Sequence, residues 1–214
     1  GARWMYDIYQ ETWRELTAPG APFEVEEIEV RNSPMRAYKN APLSLREIWL
    51  SSLAFAERDY LVFGDERWTY AEVHIQVASI ANWIADQGIK PGDRVAISMR
   101  NYPEWLMIYW ACVSTGVAAV GMNAWWVEDE MEYGLADSSP KVLFCDEERL
   151  NRFLNIRDKF ADLPTVGVRL KESRPGITDF AEVLKTGGEM PDIAVDPDQD
   201  ACIFYTSGTT GYPK

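Results

Sequence analysis

Ser207, Thr209 and Thr210, spaced by Gly208 and Gly211 and followed by Lys214, are the residues of this chain best suited to chemistry. Glycine tolerates positive φ and lets the main chain approach a ligand closely, so such a segment can fold its N–H groups around an anion. The hydroxyls add neutral donors and the lysine adds a point charge. The string Tyr205-Thr206-Ser207-Gly208-Thr209-Thr210-Gly211-Tyr212-Pro213-Lys214 is not the common nucleoside-triphosphate loop G-x-x-x-x-G-K-[ST]: the spacing from Gly208 to the lysine is wrong, and Pro213 precedes it. Nor is it G-x-G-x-x-G. From the residues alone it is either a phosphate cradle or a solvent-exposed hairpin rich in turn formers.

Other candidates carry less. His74 is the only histidine and borders the apolar stripe of its helix, so it reads as a solvated or flanking residue. A Ser-His-Asp triad would have to recruit it, and no nucleophile-elbow sequence accompanies it. Asp146-Glu147-Glu148 reads as the acidic start of a helix, where carboxylates are favourable. Trp125-Trp126 reads as packing in preference to a substrate tunnel. Cys112, Cys145 and Cys202 lie in separate apolar runs, with no spacing for a metal, and are expected to be reduced thiols of a cytoplasmic protein. No metal site and no catalytic acid or base is assigned.

The elements that must position the loop follow a regular grammar. An amphipathic helix over 4–16 and an edge strand over 23–30 precede a stretch, 31–42, read as loop. Ser44 and Glu47 form a capping box for a helix to about Glu57, and Thr69 with Glu72 forms another. Residues 60–63 and 67–68 read as a small hairpin. Strands are expected at 94–99, 117–122, 141–145, 165–170 and 201–205. Helices are expected between them at 103–115, 128–136, 147–160 and 178–184, the first apolar on nearly every side. Alternating strands and helices predict an α/β fold, a mostly parallel sheet flanked by helices. Two regions are expected: a helical and extended lead-in, 1–43, and an α/β subdomain, 44–214.

Composition narrows the class. A net charge of −13 argues against a general nucleic-acid surface, so polyphosphate would be held by local donors, a lysine and a divalent metal. Residues 105–127 lack charge, but Ser114-Thr115-Gly116, Gly121 and Asn123 interrupt the run and both flanks are acidic, so no transmembrane segment is read there.

The string Thr206–Lys214 resembles the phosphate loop of the adenylate-forming superfamily, of acyl-CoA synthetase type. Trp68-Thr69-Tyr70-Ala71-Glu72, Gly88–Ile97, Asn101 with Glu104, Gly116–Val120, Asn123 and Ser138-Ser139-Pro140-Lys141 resemble the same family in order. Ala124 stands where many members have proline. The resemblance covers about 44–214 and leaves 1–43 unmatched. It implies the N-terminal part of the large domain of an ATP-dependent acid:CoA ligase, acting on a fatty or aryl acid with ATP, Mg2+ and CoA. Thr206, Ser207, Gly208, Thr209, Thr210, Gly211 and Lys214 would bind the ATP phosphates. The family's later motifs are absent, so the 214 residues alone are expected to be inactive, lacking the C-terminal part of the chain. The alternative is a non-catalytic α/β module that binds a nucleotide or a partner and retains the loop.

Overall fold

The computed structural model describes residues 1–208 and 211–214. The chain forms two compact units, Gly1–Leu43 and Ser44–Lys214. In the first, α1 (Ala2–Thr17) precedes β1 (Val25–Val30) and β2 (Ser33–Tyr38), which pair antiparallel from Val25↔Tyr38 to Val30↔Ser33. The expected loop over 31–42 is therefore largely a strand. Arg31 and Asn32, at φ 48° and 63°, make a two-residue turn with both central residues left-handed, the geometry that matches hairpin twist. Pro34 misleads the sequence reading, but a two-stranded ribbon has only edge strands, where a missing N–H is tolerated.

In the second unit, α2 (Leu45–Ser51) starts where Ser44 accepts the Glu47 N–H at 3.2 Å, and ends early in a 3-10 turn, Ser52–Phe55. β3 (Asp59–Phe63) and β4 (Glu66–Thr69) form the expected hairpin. The Thr69–Glu72 capping box is present, at 3.2 and 2.8 Å, and opens α3 (Tyr70–Asp86). β5 (Arg94–Ser98), α4 (Pro103–Val113), β6 (Ala118–Gly121), α5 (Glu128–Ser138) and β7 (Val142–Asp146) follow. Then come α6 (Glu147–Leu154), β8 (Thr165–Val168), β9 (Thr178–Asp179), α7 (Phe180–Leu184) and β10 (Cys202–Phe204). The expected helix 147–160 breaks after Leu154 and resumes as a 3-10 turn, Arg157–Phe160. Thr178 and Asp179 are strand, with Asp179 capping α7 through the Ala181 N–H at 2.9 Å.

Six strands lie in the order β10-β6-β5-β7-β8-β9, every neighbouring pair parallel. Alternation along β5 divides the core. Val95 and Ile97 pack with Val77, Ile80 and Ile84 of α3 and Met107 and Ile108 of α4. Ala96 turns the other way, to Met131 and Leu135 of α5 and Leu150 and Phe153 of α6. Each fully buried aliphatic or aromatic side chain contributes about 1.5–3 kcal/mol. Both faces of a parallel sheet must be covered, which is why the central strands β5, β6, β7 and β8 are mostly apolar. Among the described residues no helix is long and apolar enough to cross a membrane.

Candidate functional site

The connections after β5, β6, β7 and β10 leave the sheet at its C-terminal edge, where ligands of open parallel sheets bind. β10 sits beside β6 with Cys202 opposite Ala119 and Phe204 opposite Gly121. Gly121 makes this contact possible, since a Cβ there would meet the Phe204 ring at 2.5 Å. The chain then leaves the sheet at Tyr205 and turns back on itself. Lys214 N donates to Thr206 O at 2.9 Å, Thr206 N donates to Lys214 O at 2.5 Å, and Thr206 Oγ1 reaches the same carbonyl at 3.2 Å. A closed loop results. Gly208 lies against the Tyr212 carbonyl so tightly that any side chain would occupy the same space, and Gly211 adopts φ 86°.

Thr206, Ser207, Gly208 and Gly211 line one cavity of about 240 Å³ together with Asn123, Trp126 and Tyr205. The structure thus brings four of the predicted residues together. Lys214 is exposed and outside that lining, although its backbone closes the loop. Thr209 and Thr210 lie outside the described residues. Ser207 and Thr206 are exposed; the Ser207 hydroxyl faces solvent, whereas that of Thr206 donates to the Lys214 carbonyl.

The walls come from β6 and α5. Asn123 Oδ1 accepts the Trp125 N–H at 2.8 Å, and Trp126 N donates to Asn123 O at 3.1 Å, turning the chain into α5. The two tryptophans part there. Trp126 is buried against Tyr205, ring centroids 5.4 Å apart, whereas Trp125 is exposed beneath the Arg100 guanidinium at 4.5 Å. The packing expected for both holds only for Trp126. Tyr205 Oη donates to Asp137 Oδ2 at 2.6 Å. Burial and that carboxylate push the Tyr205 phenol up to about 12, so it remains a donor at neutral pH. Sequence reasoning missed Tyr205 and Asp137 as parts of the site. Tyr205 was findable from its place at the strand end, Asp137 only from the tertiary structure.

A larger crevice, about 690 Å³, lies where the connections from β5 and β7 diverge. Asp146 organises it. Its carboxylate accepts the Arg100 N–H at 2.9 Å, the Arg149 N–H at 3.0 Å and Arg149 Nη1 at 3.1 Å. Arg149 is fully buried, Nη2 lies 2.7 Å from Glu148 Oε2 out of hydrogen-bond alignment, and Nε has no partner. Asp146 therefore caps α6 as the acidic run suggests, and does so from the interior. Arg169, at φ 56°, reaches both oxygens of Glu104 and of Glu66 within 3.1 Å. Burial opposes its charge, but those carboxylates outweigh it and raise the guanidinium pKa. Volume alone would favour this crevice as the reaction site. The loop cavity has the stronger case, because the exposed Ser207 lines it while Arg149 and Arg169 are already engaged by carboxylates.

His74 lies away from both cavities, stacked on Trp49 at 3.9 Å with Nε2 2.8 Å from Ser52 Oγ. It is a packed residue, as its place beside an apolar stripe suggests. Cys112 and Cys145 are buried and their thiols pushed up by burial, while Cys202 is half-buried.

With the loop and the parallel sheet in place, comparison with known proteins decides the lineage. The profile of the AMP-binding enzyme family matches residues 51–214. The chain belongs to that family. It is 34% identical over 146 residues to a feruloyl-CoA synthase from Amycolatopsis sp, covering 68% of this chain and 27% of that protein. It is 30% identical over 168 residues to the 2-succinylbenzoate–CoA ligase of Bacillus pumilus, covering 78% and 32%. A medium/long-chain-fatty-acid–CoA/3-oxocholest-4-en-26-oate–CoA ligase of Mycolicibacterium smegmatis is 28% identical over 166 residues, covering 75% and 30%. In fold it is similar to the anthranilate CoA ligase AuaEII, with a TM-score of 0.74 at 24% identity over 82% of this chain and 35% of that one. The N-terminal domain of FACL13 from Mycobacterium tuberculosis gives 0.65 at 26% identity, over 80% and 43%. This AMP-binding chain thus spans about a third of the length of the curated relatives it matches.

Proposed function

We propose that this chain supplies the phosphate-binding part of an ATP-dependent acid:CoA ligase, which joins a carboxylate to AMP and then passes the acyl group to the CoA thiol. The observation that carries this reading is the closed loop Thr206–Lys214, with Ser207 exposed, at the C-terminal end of the edge strand β10, in a chain of the AMP-binding family. The related ligases act on fatty, aryl and succinylbenzoate acids, and the acid here belongs to that range.

The physical problem is an anion attacking a polyanion. The carboxylate oxygen forms a bond to the α-phosphorus while the bond to the bridging oxygen of pyrophosphate breaks, so negative charge builds on the leaving group. Thr206, Ser207, Gly208, Thr209, Thr210 and Gly211 are proposed to hold those phosphates by backbone and hydroxyl donors, and Lys214 to add its charge. A substrate acid is already ionised near pH 7, so the attack needs no general base. Magnesium would neutralise part of the triphosphate charge. Among the described residues no group of three or more His, Cys, Asp or Glu side chains is arranged to hold it.

The adjoining crevice offers room for the acceptor's nucleotide. CoA carries phosphates of its own, and Arg100 and Lys171 line the crevice beside Trp125, which also lines the loop cavity. On this reading Arg100→Ala raises the KM for CoA and leaves the KM for MgATP unchanged.

The test uses the full-length protein that contains this chain and a panel of carboxylates, read as pyrophosphate release and loss of free CoA thiol. At least one acid is expected to give stoichiometric pyrophosphate and thioester. Inorganic phosphate as the product, or no acid-dependent turnover across the panel, overturns the reading.

A further inference from the structure

The loop is rich in glycine and hydroxyl residues, and such a segment holds its donors in one arrangement only if something outside it constrains them. That constraint comes from α5. Glu130, Tyr133 and Asp137 recur at spacings of three and four, so they share one face of the helix. All three meet the loop region. Glu130 lines the loop cavity, Tyr133 stacks on Tyr212 at 5.4 Å and 29°, and Asp137 accepts the Tyr205 hydroxyl at 2.6 Å. The next residue on that side, Gly134, leaves the space that Trp126 fills, since a Cβ there would lie 2.5 Å from the indole. Trp126 in turn packs edge-on against Tyr205. The loop is thus gripped at both ends: at Tyr205, where it leaves the sheet, and at Tyr212, just before it closes.

We infer that Asp137 and Tyr205 are positioning residues for triphosphate binding, forming a latch that holds the phosphate loop in its binding shape from α5. The inference rests on the proposed adenylation reaction and goes beyond it, because neither side chain belongs to the loop's string of donors. The hydroxyl donates to an ionised carboxylate, a short charge-assisted bond. Asp137 stays at the surface, so it keeps its hydration while the Tyr205 ring is packed beneath it. Donors fixed before the ligand arrives cost no reorganisation during the reaction, which is how such sites stabilise developing charge.

The test compares full-length wild type with Tyr205→Phe, Asp137→Ala, the double variant and Asp137→Asn. Two readouts are used: hydrogen exchange of the segment 206–214, and the split between KM for MgATP, KM for the acid and kcat in ATP–pyrophosphate exchange. Tyr205→Phe and Asp137→Ala should each speed loop exchange and raise the KM for MgATP about five- to tenfold, with the acid's KM and the melting temperature unchanged. The double variant should be no worse than either single one, as expected of two ends of one bond. Asp137→Asn keeps an acceptor and should fall between wild type and Asp137→Ala. Unchanged loop exchange in both single variants, or additive effects in the double variant, overturns the latch. If wild type is inactive with every acid, the adenylation reading fails separately, and the hydrogen-exchange comparison still decides whether the latch exists.

Discussion

Gly208 and His74 represent the two ways a single residue matters in this chain, one for the loop's shape and one for the core. At Gly208 the added Cβ of alanine falls on the Tyr212 carbonyl, which is backbone and cannot swing aside. Gly208→Ala must open the Thr206–Lys214 closure, and a displacement of about 1 Å in such a site can cost about a hundredfold. ATP–pyrophosphate exchange by the full-length variant should therefore fall by about that factor while its melting temperature is kept. At His74, burial lowers the imidazole pKa, against a backbone hydrogen bond at Trp49 that works the other way. A depressed pKa means the unfolded chain takes up the proton first. Stability is thus full above about pH 6.5, the unfolded value, and declines as pH falls from there through the lower folded value. Replacing His74 by Phe keeps a ring on Trp49 and removes the titration. Melting curves from pH 7.5 to 5 should show wild type losing more than His74→Phe, and parallel curves would refute this assignment. The loop could be singled out from sequence because its residue types carry donor groups and turn-forming glycines. Asp137 could not, because an aspartate near a helix end has many ordinary uses and only the approach of Tyr205 gives it this one.

At the scale of elements, short-range rules were reliable where side chain and backbone close a local circuit. The Ser44 cap on the Glu47 N–H and the Thr69–Glu72 box each act within one helix turn, and each is present. Thr69→Ala should cost about 1 kcal/mol, seen as a lower melting temperature with unchanged m-value. The misses share a different cause. β2 was hidden by Pro34 and by a turn without glycine, and the strand is specified by pairing with β1, not by its own composition. The helices after Ser44 and Glu147 ended early, in 3-10 turns over 52–55 and 157–160. α5 shows what an element adds to a motif. Its polar face meets the loop, while Met131 and Leu135 anchor the opposite face in the core. Gly134→Ala would force Trp126 off its seat, an overpacking cost of about 1–3 kcal/mol. Because Trp126 carries Tyr205, that variant should lose both stability and MgATP affinity, whereas Thr69→Ala should lose stability alone.

At the scale of the molecule, a chain with a net charge of −13 is proposed to bind some of the most highly charged metabolites there are. Its overall field opposes this, so binding must come from donors within bonding range, where a few aligned N–H and O–H groups outweigh distant charges screened beyond about 10 Å. The sheet makes that possible by delivering the loops after β5, β6 and β10 to one edge. Delivery is not the whole reaction, however. The cavity beside the loop holds about 240 Å³, and the curated relatives are about three times as long as this chain. Holding pyrophosphate, the task proposed for Thr206–Lys214, and aligning a carboxylate with the α-phosphorus are separate tasks. The 214-residue chain by itself should therefore bind pyrophosphate weakly and give no ATP–pyrophosphate exchange with any acid of the panel. Calorimetry with pyrophosphate checks the first half and isotope exchange the second. Binding without exchange is expected, and detectable exchange by the isolated chain would mean that the alignment, too, is achieved within these residues.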